Sequence, residues 1–208
     1  MIESLIPDSE VLRAQFGEID IYLFDQLARG RFDARRRILD AGCGAGRNLP
    51  YFLAHGFEVH AIDADPRAVA SARALARSAG GGAEARIRQG ELDALPWADG
   101  SMDAVVCSAV LHFARDHAHF ARMVDDLWRV LAPGGLFFAR LASSIGIEPL
   151  LAATTGRVRL PDGSERFVVD EAMLVQTTAR LGGTLADPIK TTNVQNQRCM
   201  TTWTLTNP

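Results

Sequence analysis

Asp40, Gly42, Gly44 and Gly46 are the residues of this 208-residue chain whose types and spacing best suit chemistry. They stand in the run Ile38-Leu39-Asp40-Ala41-Gly42-Cys43-Gly44-Ala45-Gly46-Arg47-Asn48, which reads as a buried strand, a glycine turn and the start of a helix. Such a turn brings a ligand close to bare backbone and to the positive end of the helix. A dinucleotide fingerprint, Gly-x-Gly-x-x-Gly, would need its third glycine at position 47, where the chain has Arg47; the glycine comes one residue early, at Gly46. That disfavours a nicotinamide-dependent oxidoreductase. Asp40, two residues before the first glycine, would repel a pyrophosphate and suit a cation.

S-adenosylmethionine carries an ammonium and a sulfonium and has no phosphate, so it meets both conditions. Asp63 lies about twenty residues past the glycines, where an acid reaches the ribose hydroxyls of an adenosine-containing ligand. One carboxylate can accept from both hydroxyls. Asp65, followed by Pro66, suits a helix N-cap and leaves Asp63 to the ligand. In Gln89-Gly90-Glu91-Leu92-Asp93-Ala94-Leu95-Pro96-Trp97, an acid at a strand end is placed to accept from an adenine amino group. The next backbone amide is placed for a ring nitrogen, with apolar neighbours over the ring faces.

The elements that must position these residues alternate between strand and helix patterns, which predicts an α/β fold with a mainly parallel sheet. Residues 9–30 read as helical, broken at Gly17, with Ile19, Tyr22, Leu23, Gln26 and Leu27 on one face. Strands are expected at 38–41, 57–62, 83–88, 103–108 and 136–141. Helices are expected at 47–55, after Asp65, and at 117–131. Beyond residue 141 the pattern changes. A hairpin is expected over 158–169 around Pro161-Asp162-Gly163-Ser164, then a helix over 170–181. Two closing strands, near 184–194 and 199–206, have no helix between them and should pair antiparallel.

The chain resembles the class I S-adenosylmethionine-dependent methyltransferases over about residues 37–141. The resemblance rests on Ile38 to Gly46, on Asp63, and on Gly90-Glu91-Leu92-Asp93-Ala94-Leu95-Pro96-Trp97, where Glu91 replaces the usual Asp. It rests also on Asp99-Gly100-Ser101-Met102-Asp103, Ser108-Ala109-Val110-Leu111-His112 and Arg129-Val130-Leu131-Ala132-Pro133-Gly134-Gly135. A weaker similarity, in Gly46-Arg47-Asn48 and the small size, is to the tellurite-resistance and thiopurine-like branch. The resemblance implies a Rossmann-like, doubly wound, seven-stranded sheet of order 3-2-1-4-5-7-6 with strand seven antiparallel. It implies one methyltransferase domain over residues 1–208, with a helical cap at 1–34 and a substrate-side hairpin insertion at 145–170. It implies S-adenosylmethionine as cofactor, S-adenosylhomocysteine as product, and binding residues Asp40, Gly42, Cys43, Gly44, Gly46, Asp63, Ala64, Glu91, Leu92 and Ser108.

In such chemistry the donor is already activated, so a protein mainly supplies alignment, and a base helps only a neutral acceptor. His112, after the fourth strand where the family's cleft opens, is the candidate base; a packing or loop role is its alternative. Tyr22 belongs to a region that often covers the cofactor pocket in this family, and core packing is its alternative. Arg140 is read either as a contact for an anionic substrate or as an ion-pair partner. His112, Asp116, His117 and His119 cluster in sequence, but helix geometry does not make residues two apart converge on a metal, and no metal is expected.

Composition narrows the class further. A net charge of −3 gives no electrostatic case for nucleic acid or an anionic membrane, and the run Arg35-Arg36-Arg37 reads as a solvated strand entrance. Three scattered cysteines show no Cys-x-x-Cys spacing, so neither structural zinc nor paired disulfides are expected, and a reducing cytoplasm fits. Met1-Ile2-Glu3-Ser4 is acidic and lacks a basic n-region followed by an apolar core, so no signal peptide is expected, and no apolar run approaches the length of a membrane span. The expectation is a cytoplasmic enzyme that methylates a small molecule, with a homodimer left open. Methylation of a protein or RNA and a non-catalytic cofactor-binding module are the alternatives. Ser108-Ala109-Val110-Leu111 lacks the Asn-Pro-Pro-Tyr pattern of base methylation.

Overall fold

In the structure, a computed structural model that describes residues 9–208, strand and helix alternate as the sequence implies. The acidic start Met1 to Ser4, and with it the beginning of the 1–34 segment, lies outside the described residues. The elements are α1 (Ser9–Phe16), α2 (Ile21–Ala28), β1 (Arg37–Ala41), α3 (Leu49–Ala54), β2 (Glu58–Asp63), α4 (Pro66–Ala79), β3 (Ile87–Gln89), β4 (Met102–Ser108) and α5 (His117–Arg129). They continue with β5 (Leu131–Ser143), β6 (Gly156–Arg159), β7 (Glu165–Val168), α6 (Glu171–Arg180), β8 (Thr184–Leu185), β9 (Lys190–Val194) and β10 (Arg198–Thr206).

The main sheet runs β3-β2-β1-β4-β5-β10-β8, with β9 also paired to β10. The first five strands are parallel, and β10 is antiparallel to β5, with Thr202 opposite Arg140 and Met200 opposite Ala142. This is the expected order, with β10 in the place of strand seven and β8 and β9 together in the place of strand six. The main sheet thus has eight strands rather than seven, because its outer strand is split around Asp187-Pro188. Proline has no N–H to donate to a ladder. Asp187 turns to α2 instead, accepting from Gln26 Nε2 at 2.9 Å and from Arg31 at 2.9 Å.

Successive residues of the inner strands face opposite sides of the sheet, as a period of two demands. Leu39, Val105 and Phe137 join the core with Phe120, Leu127 and Trp203 on the side of α5 and α6. Ile38, Val106 and Phe138 join Leu23, Phe52 and Val69 on the side of α2, α3 and α4. A parallel sheet covered on both faces needs apolar residues in both registers, which is why these strands read as continuous hydrophobic runs.

Several boundaries differ from expectation, the largest being β5, which begins at Leu131 rather than 136 and runs to Ser143. Residues 83–88 are not one strand; Ala83–Arg86 form a short 3-10 turn, and β3 begins at Ile87. The turn is entered through Gly82 in a left-handed conformation, φ 69°. The first helix starts at Leu49 with Asn48 before it, so Arg47 belongs to the glycine turn. The hairpin is formed by β6 and β7 as expected, with Gly156 opposite Val168. The arginine run fastens β1 to its neighbours: Asp103 accepts from Arg36 N at 3.0 Å and from Arg37 N and Nη2 at 2.9 and 2.5 Å, and Arg35 reaches the Gly134 carbonyl at 2.8 Å.

Candidate active site

The carboxyl ends of parallel strands leave a crevice where the strand order reverses, here between β1 and β4. A cavity of about 960 Å³ opens at these ends. Gly42, Gly44 and Gly46 have φ of 76°, 54° and 93°, a region that penalises any side chain. Each has a further reason to be glycine. A Cβ on Gly42 would stand 2.3 Å from a methyl of Val110, and one on Gly46 would press on Leu75 and Leu49 at 3.0 and 3.1 Å. At Gly44 nothing lies within 4 Å, so its bare backbone is open to a ligand. Ala109, with φ 66°, continues β4 into the cavity wall, its N–H held by the Arg140 carbonyl at 2.7 Å. A non-glycine residue there carries local strain that its surroundings must sustain.

Asp63 ends β2 and lines the cavity. Its Oδ2 accepts from Gly44 N at 2.8 Å and its Oδ1 from Asp65 N at 2.9 Å. Each oxygen keeps a second lone pair, so the carboxylate is fixed yet able to accept more. Asp65 caps α4 through Arg67 N at 2.8 Å, as its place before Pro66 implies. Asp40 lies just behind the lining, 2% exposed, and neither carboxylate oxygen has a hydrogen-bond partner among the described residues. Burial pushes its pKa up to about 7, with Arg47 and Asn48 pulling the other way and Asp63 adding to the rise. A buried, unpartnered carboxyl is costly alone and is relieved by a cation at the turn.

Cys43, Ala64, Glu91, Leu92 and Ser108 also line the cavity, whereas Gly46 packs behind it. The Cys43 thiol is held protonated, its pKa raised by burial and by the nearby Asp40 and Asp63 carboxyls. Leu92 is buried and Glu91 exposed. The loop that carries them is pinned from α5. Arg129 donates to the Leu95 and Trp97 carbonyls at 3.1 and 2.8 Å, and Asp126 accepts from Leu95 N. Trp97 Nε1 donates to His60 Nδ1 at 3.1 Å.

His112 lines the cavity, 6% exposed, with Nδ1 enclosed and without a partner. Burial, then Arg166 and Arg140, lowers its pKa to about 4. It is neutral near pH 7, and a conjugate acid that strong makes a weak base. Tyr22 does not line the cavity. Its hydroxyl bonds Thr192 Oγ1, and its ring lies 5.0 Å from the Arg140 guanidinium and 5.1 Å from Lys190 Nζ, beside a second cavity of about 430 Å³. Asp116 caps α5 through His119 N at 2.7 Å, and His117 Nε2 lies 3.2 Å from Thr155 Oγ1. Among the described residues no three His, Cys, Asp or Glu side chains gather as metal ligands. No helix among them is long and apolar enough to cross a membrane.

The residue most central to the wall is one the sequence reading passed over. The Asp20 side chain, 1% exposed, caps α2 through Tyr22 N at 3.0 Å with Oδ1. Its Oδ2 accepts from Ser108 Oγ at 2.8 Å, Arg140 Nη1 at 3.1 Å and Arg47 Nη2 at 3.3 Å. Its own N–H donates to Asn48 Oδ1 at 3.0 Å. One carboxylate therefore joins the N-terminal helices to the glycine turn, β4 and β5. An Asp directly before an apolar helical face is an N-cap signal that could have marked it.

A methyltransferase domain family matches residues 39–139. Demethylmenaquinone methyltransferase of Thermus thermophilus is 31% identical over 170 residues, covering 70% of this chain and 74% of that protein. Ubiquinone biosynthesis O-methyltransferase of Methylocella silvestris is 40% identical over 103 residues, covering 50% and 38%. The fold is shared with the crystal structure of 1,6-didemethyltoxoflavin-N1-methyltransferase of Burkholderia thailandensis, bound to 1,6-didemethyltoxoflavin and S-adenosylhomocysteine. The TM-score is 0.65 at 18% identity, over 96% of this chain and 87% of that one. The chain spans less than half the length of several curated relatives it matches. With strand order, glycine turn and sequence in agreement, this chain belongs to the class I S-adenosylmethionine-dependent methyltransferases.

Proposed function

We propose that the chain transfers a methyl group from S-adenosylmethionine to a small-molecule acceptor. The observation that carries this reading is the juxtaposition of an open Gly44 backbone with the fixed Asp63 carboxylate, above an unpartnered Asp40. These residues fit the cofactor. The Gly42–Gly44 turn would take the methionine end, and Asp40 the charge of its ammonium. Asp63 would accept from the ribose hydroxyls, and Glu91 and Leu92 would meet the adenine. S-adenosylmethionine supplies a methyl group already activated on a sulfonium, ready for in-line displacement.

The protein's own part is alignment and exclusion of water. Asp20, Ser108, Arg47 and Arg140 hold the ends of β4 and β5 in register beside the turn. His112 bounds the acceptor side as a neutral ring. Its low pKa favours an acceptor that arrives already nucleophilic over one that must lose a proton. The small-molecule assignment draws support from the relatives named for quinone methylation and from a neighbour crystallised with a small heterocycle.

Calorimetric titration with S-adenosylmethionine tests the reading. Micromolar binding by the wild type, lost in Asp63→Ala and unmatched by nicotinamide nucleotides, is expected. A folded wild type that binds no S-adenosylmethionine would refute it.

A further inference from the structure

The cavity is divided by charge. Its cofactor side, over β1, β2 and β3, presents the carboxylates of Asp63, Asp65 and Glu91 with Arg47 among them. Its other side, over β5, β10 and the β6–β7 hairpin, presents Arg140, Arg166 and Arg198 against one carboxylate, Asp162. Among the described residues the positive charge on that side is not fully neutralised. Arg140 shares the carboxylate of Asp20 with Arg47 of the glycine turn, so Asp20 does not serve Arg140 alone. Arg166 has no carboxylate within ion-pair distance among the described residues; its Nη1 donates to the Glu165 carbonyl at 2.7 Å, and its guanidinium lies 5.1 Å from the Phe113 ring centroid. Asp162, in the hairpin turn, is already engaged by Ser164 N and Oγ at 2.9 and 2.6 Å and by Arg198 at 3.8 Å.

Beneath these cations the surface is apolar. Ala142 and Met200 sit opposite each other on β5 and β10, and Leu160 joins them in a small cluster under the hairpin. Arg140 Nε is buried and has no partner among the described residues, and the same holds for His112 Nδ1. Arg140 and Arg166 are both half-buried, and both disfavour a proton on His112. Guanidinium groups in that position are stabilised by an oxyanion, which their planar forks match.

We infer that the acceptor side takes an organic oxyanion, a carboxylate or phosphate on an apolar body. Its charged group meets Arg166 and Arg140, and its body lies on Ala142, Leu160 and Met200. The inference rests on the proposed methyl transfer only in calling this molecule an acceptor; the site is built from the chain's own residues.

The test is nuclear magnetic resonance titration of the full chain with benzoate, phenyl phosphate and benzamide, without and with saturating S-adenosylhomocysteine. At least one anion should bind ten-fold or more tighter than the isosteric benzamide, and the tighter anion identifies the preferred group. The preference should fall at least five-fold in Arg166→Gln and be largely kept in Arg166→Lys. S-adenosylhomocysteine affinity should be unchanged in both variants, which also reports that they are folded. Equal binding of benzamide, no binding of either anion, or an undiminished preference in Arg166→Gln would overturn the inference. Failure of S-adenosylhomocysteine to bind would strike the cofactor reading instead, and the anion titration would still decide this one.

Discussion

Asp20→Ala is the substitution that most sharply probes how the site is held. It deletes the α2 cap and takes from Arg47 and Arg140 the carboxylate they share. It also strips the buried Ser108 hydroxyl of its acceptor. Breaking a buried ion pair from one side costs roughly 3–5 kcal/mol, and Arg47, at 43% side-chain exposure, can recruit water, which favours the lower end. Loss of an N-cap adds about 1 kcal/mol. The expected total is about 4 kcal/mol, or a fall in Tm of roughly 12 °C for a chain of this length. Asp20→Asn keeps an acceptor for the cap and loses the charge, and should cost about half as much. Urea and thermal unfolding followed by circular dichroism measure both. The decisive control is Asp20→Ala combined with Arg140→Gln. Because the two residues are in contact, removing Arg140's charge should cost less in the Asp20→Ala background than in the wild type. A loss under about 1 kcal/mol for Asp20→Ala, or simple additivity in the double variant, would refute the reasoning.

Gly42→Ala should unfold at lower denaturant and lose S-adenosylhomocysteine binding at least ten-fold, since its Cβ would meet Val110 at 2.3 Å in a backbone with φ 76°; near-wild-type binding by calorimetry would contradict this. Asp40 binds a proton more tightly folded than unfolded, so its contribution is full below about pH 4 and is lost as pH rises toward 7. Asp40→Asn should therefore match the wild type near pH 4 and exceed it by up to about 4 kcal/mol at pH 8 in ligand-free unfolding experiments. Equal stability at both pH values would count against that burial. The His112 ring should titrate near pH 4 by nuclear magnetic resonance; a midpoint above 6 would make it a competent base after all.

The scaffold was legible in the sequence for physical reasons. Strands buried on both faces leave continuous apolar runs such as those of β4 and β5, and the caps at Asp65 and Asp170 sit directly before the helices they start. The glycine turn was legible because its conformations admit little else. The wall built around Asp20 and Arg140 was not. Asp20 acts by joining residues 28, 88 and 120 positions away, and no local pattern encodes such a meeting. The hairpin was visible as turn chemistry, yet the approach of Arg166 to His112 depends on how β6–β7 folds back over β5. The split of the outer strand was within reach, since Pro188 interrupts a ladder wherever it falls. Tyr22 reads from sequence either as cover for the cofactor pocket or as core packing; its ring lies against Arg140 and Lys190, a meeting no local pattern encodes.

The most direct test of the central claim is a crystal structure of the full chain grown with S-adenosylhomocysteine. The account predicts density in the 960 Å³ cavity, with the ribose on Asp63, the amino-acid end against the Gly42–Gly44 backbone, and the adenine beside Leu92. A ligand bound elsewhere, or a cavity that stays empty at saturating concentration, would contradict it.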